Sequence, residues 1–304
     1  MSLARLQAVI TLSWLGVLLA WVLSHRDRPG VALAGGLAVA SAHAWVLGLE
    51  FLVQRWMSRQ DSVFRATPGQ LWRAWLAELR LAPALFCWHQ PFRSRRFPDL
   101  PVPRQPGERG VVLVHGYLCN RGFWNAWMAV LERQGVPFMA VNLEPVFGSI
   151  DDGVPQIEEA VARLTQSTGL APLLVGHSMG GLAIRAWLRQ TRLPRRVHRI
   201  ATLGSPHAGT WTAHFGHSFN ARQLRPASAW LQALERDSPR AWARCFVCFH
   251  SNADNMVIPP SAALLEGADQ RLLPGLAHVQ MAWRPEVIAE VLALRDAPPW
   301  ETAG

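Results

Sequence analysis

The stretch "APLLVGHSMGGLAIRAW", residues 171–187, changes its hydrophobic period at a single serine. Leu173, Leu174 and Val175 end a continuous apolar run of the kind a buried strand needs, whereas Leu182, Ile184, Ala186 and Trp187 lie in a stretch that reads as helix. Ser178 falls on the turn between them. A strand that passes into a helix over so few residues must turn sharply, and Gly176 and Gly180 remove the Cβ atoms that would clash across it. Strain stored at such a turn points to a working residue.

The same alternation governs everything from residue 110 onward. "GVVLVHG" precedes a Trp-rich helix near 123–134, "VPFMAVNL" precedes a helix near 154–168, and "APLLVGHS" follows. "VHRIATLGSP" and "ARCFVCFHS" add two more strands, "DQRLLPG" a last one, and "RPEVIAEVLALRD" a closing helix. Short apolar runs alternating with amphipathic segments predict an α/β fold, a mostly parallel sheet with helices on both faces.

The first hundred residues obey different rules. Residues 6–23, "LQAVITLSWLGVLLAWVL", carry no charge and as a helix would reach about 27 Å, close to a bilayer core. After the connector "SHRDRPG", a second apolar run extends from Val31 to Val53, interrupted by His43 and Glu50. Together they predict a transmembrane helical hairpin over residues 1–56. The small-residue pattern Ala40-Ser41-Ala42 lies in the middle of the second run, far from the first, which argues against a cleaved signal peptide. Residues 57–107 form a juxtamembrane segment and linker. Within it "PGQLWRAWLAELRLA" reads either as a helix lying on lipid headgroups or as an ordinary surface helix, and "RSRRFPDLPVPRQPGERG" holds too much proline for a regular element.

The chain has 304 residues, a formal charge of +9, and no lysine, so its basic character is entirely arginine. Scattered arginines without a recognisable nucleic-acid module exclude nucleic acid as the expected partner and leave anionic lipid. Four cysteines are too few and too dispersed for a disulfide framework. Cys245 and Cys248 form a C-x-x-C within a predicted strand, where positions three apart face opposite sides, so no metal site is expected there.

A serine hydroxyl is a weak nucleophile until a base takes its proton. His278 follows the last predicted strand and Asp254 the strand before it, giving the chain order Ser178, Asp254, His278 that suits this sheet architecture. Asp237 and Asp269 compete for the acid role, and His207 for the base, although His207 would reverse the order. A tetrahedral oxyanion needs backbone N–H donors, and the amides of Met179, after the serine, and Tyr117, in the turn after the first strand, are the candidates. His115, Gly116, His177 and His207 are expected to border the substrate, with Phe123, Trp124 and Trp127 packing in the core or at its edge.

"VLVHGYLCNRGFW", "NLEPVFGSID", "GHSMGGLAIRAWL", "LGSPHAGT" and "ADNMVIPP…GLAH" resemble bacterial α/β-hydrolases of the lipase and carboxylesterase group, over residues 108–293. The resemblance implies an α/β-hydrolase fold over 108–304, cleavage of acyl esters without a cofactor, a triad of Ser178, Asp254 and His278, and an oxyanion turn at His115-Gly116-Tyr117. It also implies a cap near 209–243. No calcium-ligand pattern stands out. The expected function is a membrane-anchored serine ester hydrolase of lipase, carboxylesterase or phospholipase type acting on acyl ester or lipid substrates. An acyltransferase or thioesterase would use the same residues, and a non-catalytic membrane scaffold would need none of them. Arg5, Arg55, Arg59 and Arg65 flank one side of the hairpin, against Arg26 and Arg28 on the other. That bias favours a catalytic domain on the cytoplasmic face of a bacterial inner membrane, the periplasmic face being the alternative.

Overall fold

The six expected strands form: β1 (Val111–Val114), β2 (Phe138–Ala140), β3 (Leu173–His177), β4 (Arg199–Leu203), β5 (Phe246–His250) and β6 (Asp269–Leu272). A computed structural model describes residues 2–61 and 65–300. Residues 62–64, in the connecting segment, and 301–304, at the end of the expected catalytic stretch, lie outside the described residues. The strands form one parallel sheet in the order β2-β1-β3-β4-β5-β6.

Alternate residues of each strand feed two cores. Val111 and Leu113 pack with Trp124, Trp127 and Leu131 on one face, while Val112 and Val114 pack with Ile157, Val161 and Leu182 on the other. Helices cover both faces, which is why these strands show no polar alternation. The edge strand β6 is exposed throughout and carries the Arg271–Asp269 ion pair, charge that discourages edge-to-edge pairing.

The order reverses between β1 and β3. A parallel sheet opens a crevice at the carboxyl ends of the strands at such a point. Val114 is in register with Gly176, so the residues after β1 and β3 leave the sheet side by side.

The front of the chain departs from a straight hairpin. Helix α1 (Leu3–Ser24) is a single apolar element of mean hydropathy 2.0. The second run breaks near Ser41 into α2 (Pro29–Ala40) and α3 (Ala42–Met57), bent by 44°. At about 18 Å, α2 alone is too short to cross a bilayer core. The bend has a cause on each side. Gly35 of α2 lies against the Trp21 ring of α1, where a Cβ would come within 2.1 Å. Beyond the bend, α3 is drawn onto the sheet domain: Phe51 packs with Ala253 and Ala277, Gln54 Nε2 donates to the Asn252 carbonyl (2.7 Å), and Glu50 Oε2 accepts from Asn255 Nδ2 (2.7 Å).

Helix α4 (Pro68–Ala84) begins with a capping box between Thr67 and Gln70. It buries Leu71, Ala74 and Glu78 and leaves Trp72 exposed, so one face packs on the domain. The expected cap, 209–243, divides in two. Residues 211–223 form short helical turns, while helix Ala229–Arg236 buries Leu231 and Leu234 in the main core. Trp230 Nε1 donates to Asp151 Oδ2 (2.7 Å) and Glu235 pairs with Arg185 (2.6 Å), which fastens that second half to the sheet domain.

Candidate active site

Ser178 adopts φ 54° and ψ −125°, a left-handed conformation costly for any residue with a side chain. The surroundings impose it. The Ser178 N–H donates to the Leu203 carbonyl of β4 (2.9 Å), and the Ser178 carbonyl accepts from the Gly181 N–H (3.1 Å). Gly180 makes the turn possible, since a Cβ there would lie 2.2 Å from the Val114 carbonyl oxygen. Helix Met179–Thr191 starts at the next residue, so Ser178 stands at the positive end of a 13-residue helix.

The turn after β1 passes directly against Ser178. A Cβ on Gly116 would fall 2.8 Å from Ser178 Cβ and 3.1 Å from the His177 carbonyl oxygen, so only glycine lets the backbones approach this closely. Leu118, at φ 54°, bends the chain away again. The Tyr117 hydroxyl shares a hydrogen bond with Ser218 (3.0 Å), linking the turn to the first half of the 209–243 segment.

Asp254 and His278, 24 residues apart, meet from the loops after β5 and β6. Asp254 Oδ2 accepts from His278 Nδ1 at 2.9 Å, while Oδ1 accepts from the Met256 and Val257 N–H groups (2.8 and 2.9 Å). Both side chains are buried. A carboxylate acceptor places the imidazole proton on Nδ1, leaving Nε2 as a base. Burial works against the charged imidazole, but the Asp254 charge and hydrogen bond outweigh it, with Glu78 and Glu50 adding to the effect, so the His278 pKa is raised. The competing carboxylates are elsewhere: Asp237 pairs with Arg236 and Asp269 with Arg271 at the surface.

His177 forms a wall beside His278. Its ring stacks on Phe123 (4.3 Å between centroids), lies 4.6 Å from the His278 ring, and donates through Nε2 to the His278 carbonyl (3.3 Å). Burial, with His278 nearby, keeps its pKa well below the ordinary value.

Two of the expected pocket histidines are structural instead. His115 Nε2 accepts from the Leu143 N–H (3.1 Å), so its proton sits on Nδ1 and is donated to the Gly116 carbonyl (2.9 Å). Both nitrogens are engaged by backbone groups, one in the turn and one after β2, neither is left for a substrate, and burial pulls the pKa down to about 4. His207 lies in the interior, where its Nε2 meets Thr202 Oγ1 (3.1 Å) of β4 and Cys248 Sγ (3.6 Å) of β5. It is buried against β4 and β5, and its backbone carbonyl accepts from Arg185 (3.2 Å), so its contacts are those of sheet packing. Burial pushes the neighbouring thiols up, Cys245 to about 12 and Cys248 to about 11, so both stay protonated.

Several residues at the site were not anticipated. Gln7 of α1 donates to the Leu118 carbonyl (3.1 Å) and accepts from Asn120 Nδ2 (3.3 Å). Asn255 accepts from the His278 N–H (3.2 Å) and donates to Glu50, while Glu78 accepts from the Val279 N–H (3.2 Å). Glu50 had a visible signal, an isolated carboxylate in an apolar run. Gln7 and Glu78 had none.

A family model described as the alpha/beta hydrolase family matches residues 111–303. No curated protein shows a significant sequence match. Among solved structures, Bacillus licheniformis lipase BlEst2 in its mature form superposes with a TM-score of 0.54 at 15% identity, covering 64% of this chain and 95% of its own. Aspergillus fumigatus lipase B gives 0.57 at 16% identity, covering 65% of this chain and 56% of its own. At such identities the likeness is one of fold.

Proposed function

Because the chain belongs to the alpha/beta hydrolase family, we propose that it is a membrane-held serine ester hydrolase with Ser178 as nucleophile, His278 as base and Asp254 as the orienting acid. The observation that carries this reading is the buried Asp254–His278 pair, 2.9 Å long, presented at the same sheet edge as a strained serine. His278 Nε2 takes the Ser178 hydroxyl proton as Oγ attacks the ester carbonyl, and Asp254 stabilises the imidazolium that results. The amides of Tyr117 and Met179 receive the oxyanion, helped by the positive end of the helix behind Met179. Collapse passes the imidazolium proton to the departing alcohol and leaves an acyl group on Ser178. Water, deprotonated by the same imidazole, then releases the acid.

Two features favour a lipid substrate. Leu118, Phe147, Phe215, Phe219 and Met256 are exposed in the segments that follow β1, β2, β4 and β5, an apolar rim suited to an acyl chain. The hairpin also roots in these segments, since Gln7 holds the turn at Leu118 while Glu50 and Gln54 hold the loop at 252–255. If α1 crosses the bilayer, the cleft opens at the membrane surface, and the two solved relatives named above are lipases by name. The arginine distribution favours the cytoplasmic face of an inner membrane.

The test is Ser178→Ala in the full chain, purified in detergent. Fluorophosphonate labelling and cleavage of p-nitrophenyl esters, a triglyceride and phospholipids should all disappear while circular dichroism is unchanged. Undiminished labelling of the variant would refute the assignment.

A further inference from the structure

The helices that precede the sheet domain each place a polar side chain on a loop of the candidate site. Gln7 of α1 holds the turn after β1, Glu50 and Gln54 of α3 hold the loop after β5, and Glu78 of α4 holds the loop after β6. Glu78 is the most demanding of them. Its side chain is 2% exposed, Oε1 accepts the Val279 N–H at 3.2 Å, and Oε2 has no hydrogen-bond partner. Among the described residues no arginine pairs with it. Burying a carboxylate so sparsely partnered is costly, and an amide could accept the same N–H at lower cost. What the carboxylate adds is negative charge beside His278.

We propose that Glu78 is a positioning residue for His278: it fixes the backbone immediately after the imidazole and adds a second negative charge to its surroundings. The proposal rests on His278 being the base. Asp254 occupies Nδ1 and Glu78 holds the N–H of the next residue, so the imidazolium formed during serine attack is influenced by a second carboxylate besides Asp254. Glu50, through Asn255, is a third and more distant one, and the neutral His177 closes the remaining side. Burial pushes the Glu78 pKa up to about 7, opposed by the Val279 hydrogen bond and the His278 charge and assisted by Asp254 and Glu50. The charge of each group shifts the proton affinity of the other, so Glu78 and His278 behave as a coupled pair. Since α4 lies before residue 108, the catalytic apparatus extends beyond the sheet domain.

The experiment follows the His278 imidazole directly by NMR, in the full chain in detergent with histidines carbon-13 labelled at Cε1. Its signal is identified by loss in His278→Gln. Glu78→Gln, which keeps shape and acceptor but not charge, should lower the His278 midpoint by about 0.5–1 unit. Glu78→Asp should retain most of the wild-type midpoint. An unchanged midpoint in folded Glu78→Gln, or an equal drop in both variants, refutes a role through charge. The plateau of kcat/KM should fall about three- to tenfold in Glu78→Gln, with its acidic limb moving to lower pH, because the charge that raises the imidazole pKa also stabilises the transient imidazolium. The midpoint is read without catalysis, so labelling of Ser178→Ala would strike the hydrolase assignment alone.

Discussion

Replacing Gly116 by alanine tests whether the turn after β1 carries an oxyanion donor. The new methyl group would start 2.8 Å from Ser178 Cβ, 3.1 Å from the His177 carbonyl oxygen and 3.3 Å from His177 Nδ1. Carbon atoms pack at about 3.5–4.0 Å, so something must retreat by roughly 0.5–1 Å. The far side cannot easily yield. The His177 carbonyl belongs to β3, paired on both sides by β1 and β4, its ring is stacked on Phe123, and Ser178 is held in its strained turn. The displacement therefore falls on the turn itself and carries the Tyr117 amide away from the reacting oxygen. Loss of one such donor costs about 10²- to 10³-fold in kcat, and a 1 Å misplacement about 10²-fold. We expect kcat to drop about 10²-fold with KM changed by no more than about threefold, since the lost contact belongs to the transition state. Overpacking should also cost about 1–3 kcal/mol of stability. Steady-state hydrolysis of p-nitrophenyl butyrate, the rate of fluorophosphonate labelling and a thermal melt measure all three quantities. A folded Gly116→Ala variant with kcat within about threefold of wild type would refute the reasoning.

Asp254→Asn should lower kcat on the order of 10⁴-fold by disturbing the imidazole tautomer, whereas Asp237→Asn and Asp269→Asn should stay near wild type. Loss of activity in either surface variant would mean that another carboxylate orients the base. Glu78 also predicts a pH dependence of stability. Its folded pKa of about 7 lies above the ordinary value of 4.5, so its contribution is fully present below about pH 4.5 and is lost as pH rises to about 7. The stability of wild type relative to Glu78→Gln should therefore fall by on the order of 3 kcal/mol across that window and level off above it. Chemical unfolding of both proteins between pH 5 and 8 measures this, and a constant difference would contradict it.

The parallel sheet was legible along the chain because its inner strands are buried on both faces and so appear as unbroken apolar runs, as in Val111–Val114 and Leu173–His177, while the exposed edge strand β6 has no such run. Ser178, Asp254 and His278 were legible as candidates because each follows a strand and the fold gathers strand ends at one edge. The histidines were not separable by that rule. His115 and His207 also follow strands, and only the hydrogen bonds to Leu143 and Gly116, or to Thr202 and Cys248, turn them into struts. The second apolar run reads as one helix because composition and length do not record a bend. The bend near Ser41 comes from partners distant in sequence, the Trp21 ring on one side and the loop at 252–255 on the other. Glu78 is the limiting case. Within its own helix it is one acidic residue on an amphipathic surface, and it becomes a charge beside His278 because α4 docks over Val279, 201 residues further on. Periodicity and turn chemistry act over a few residues and can be read locally, whereas burial and the charge environment of a side chain depend on which distant segments close over it, and that is decided only when the chain packs.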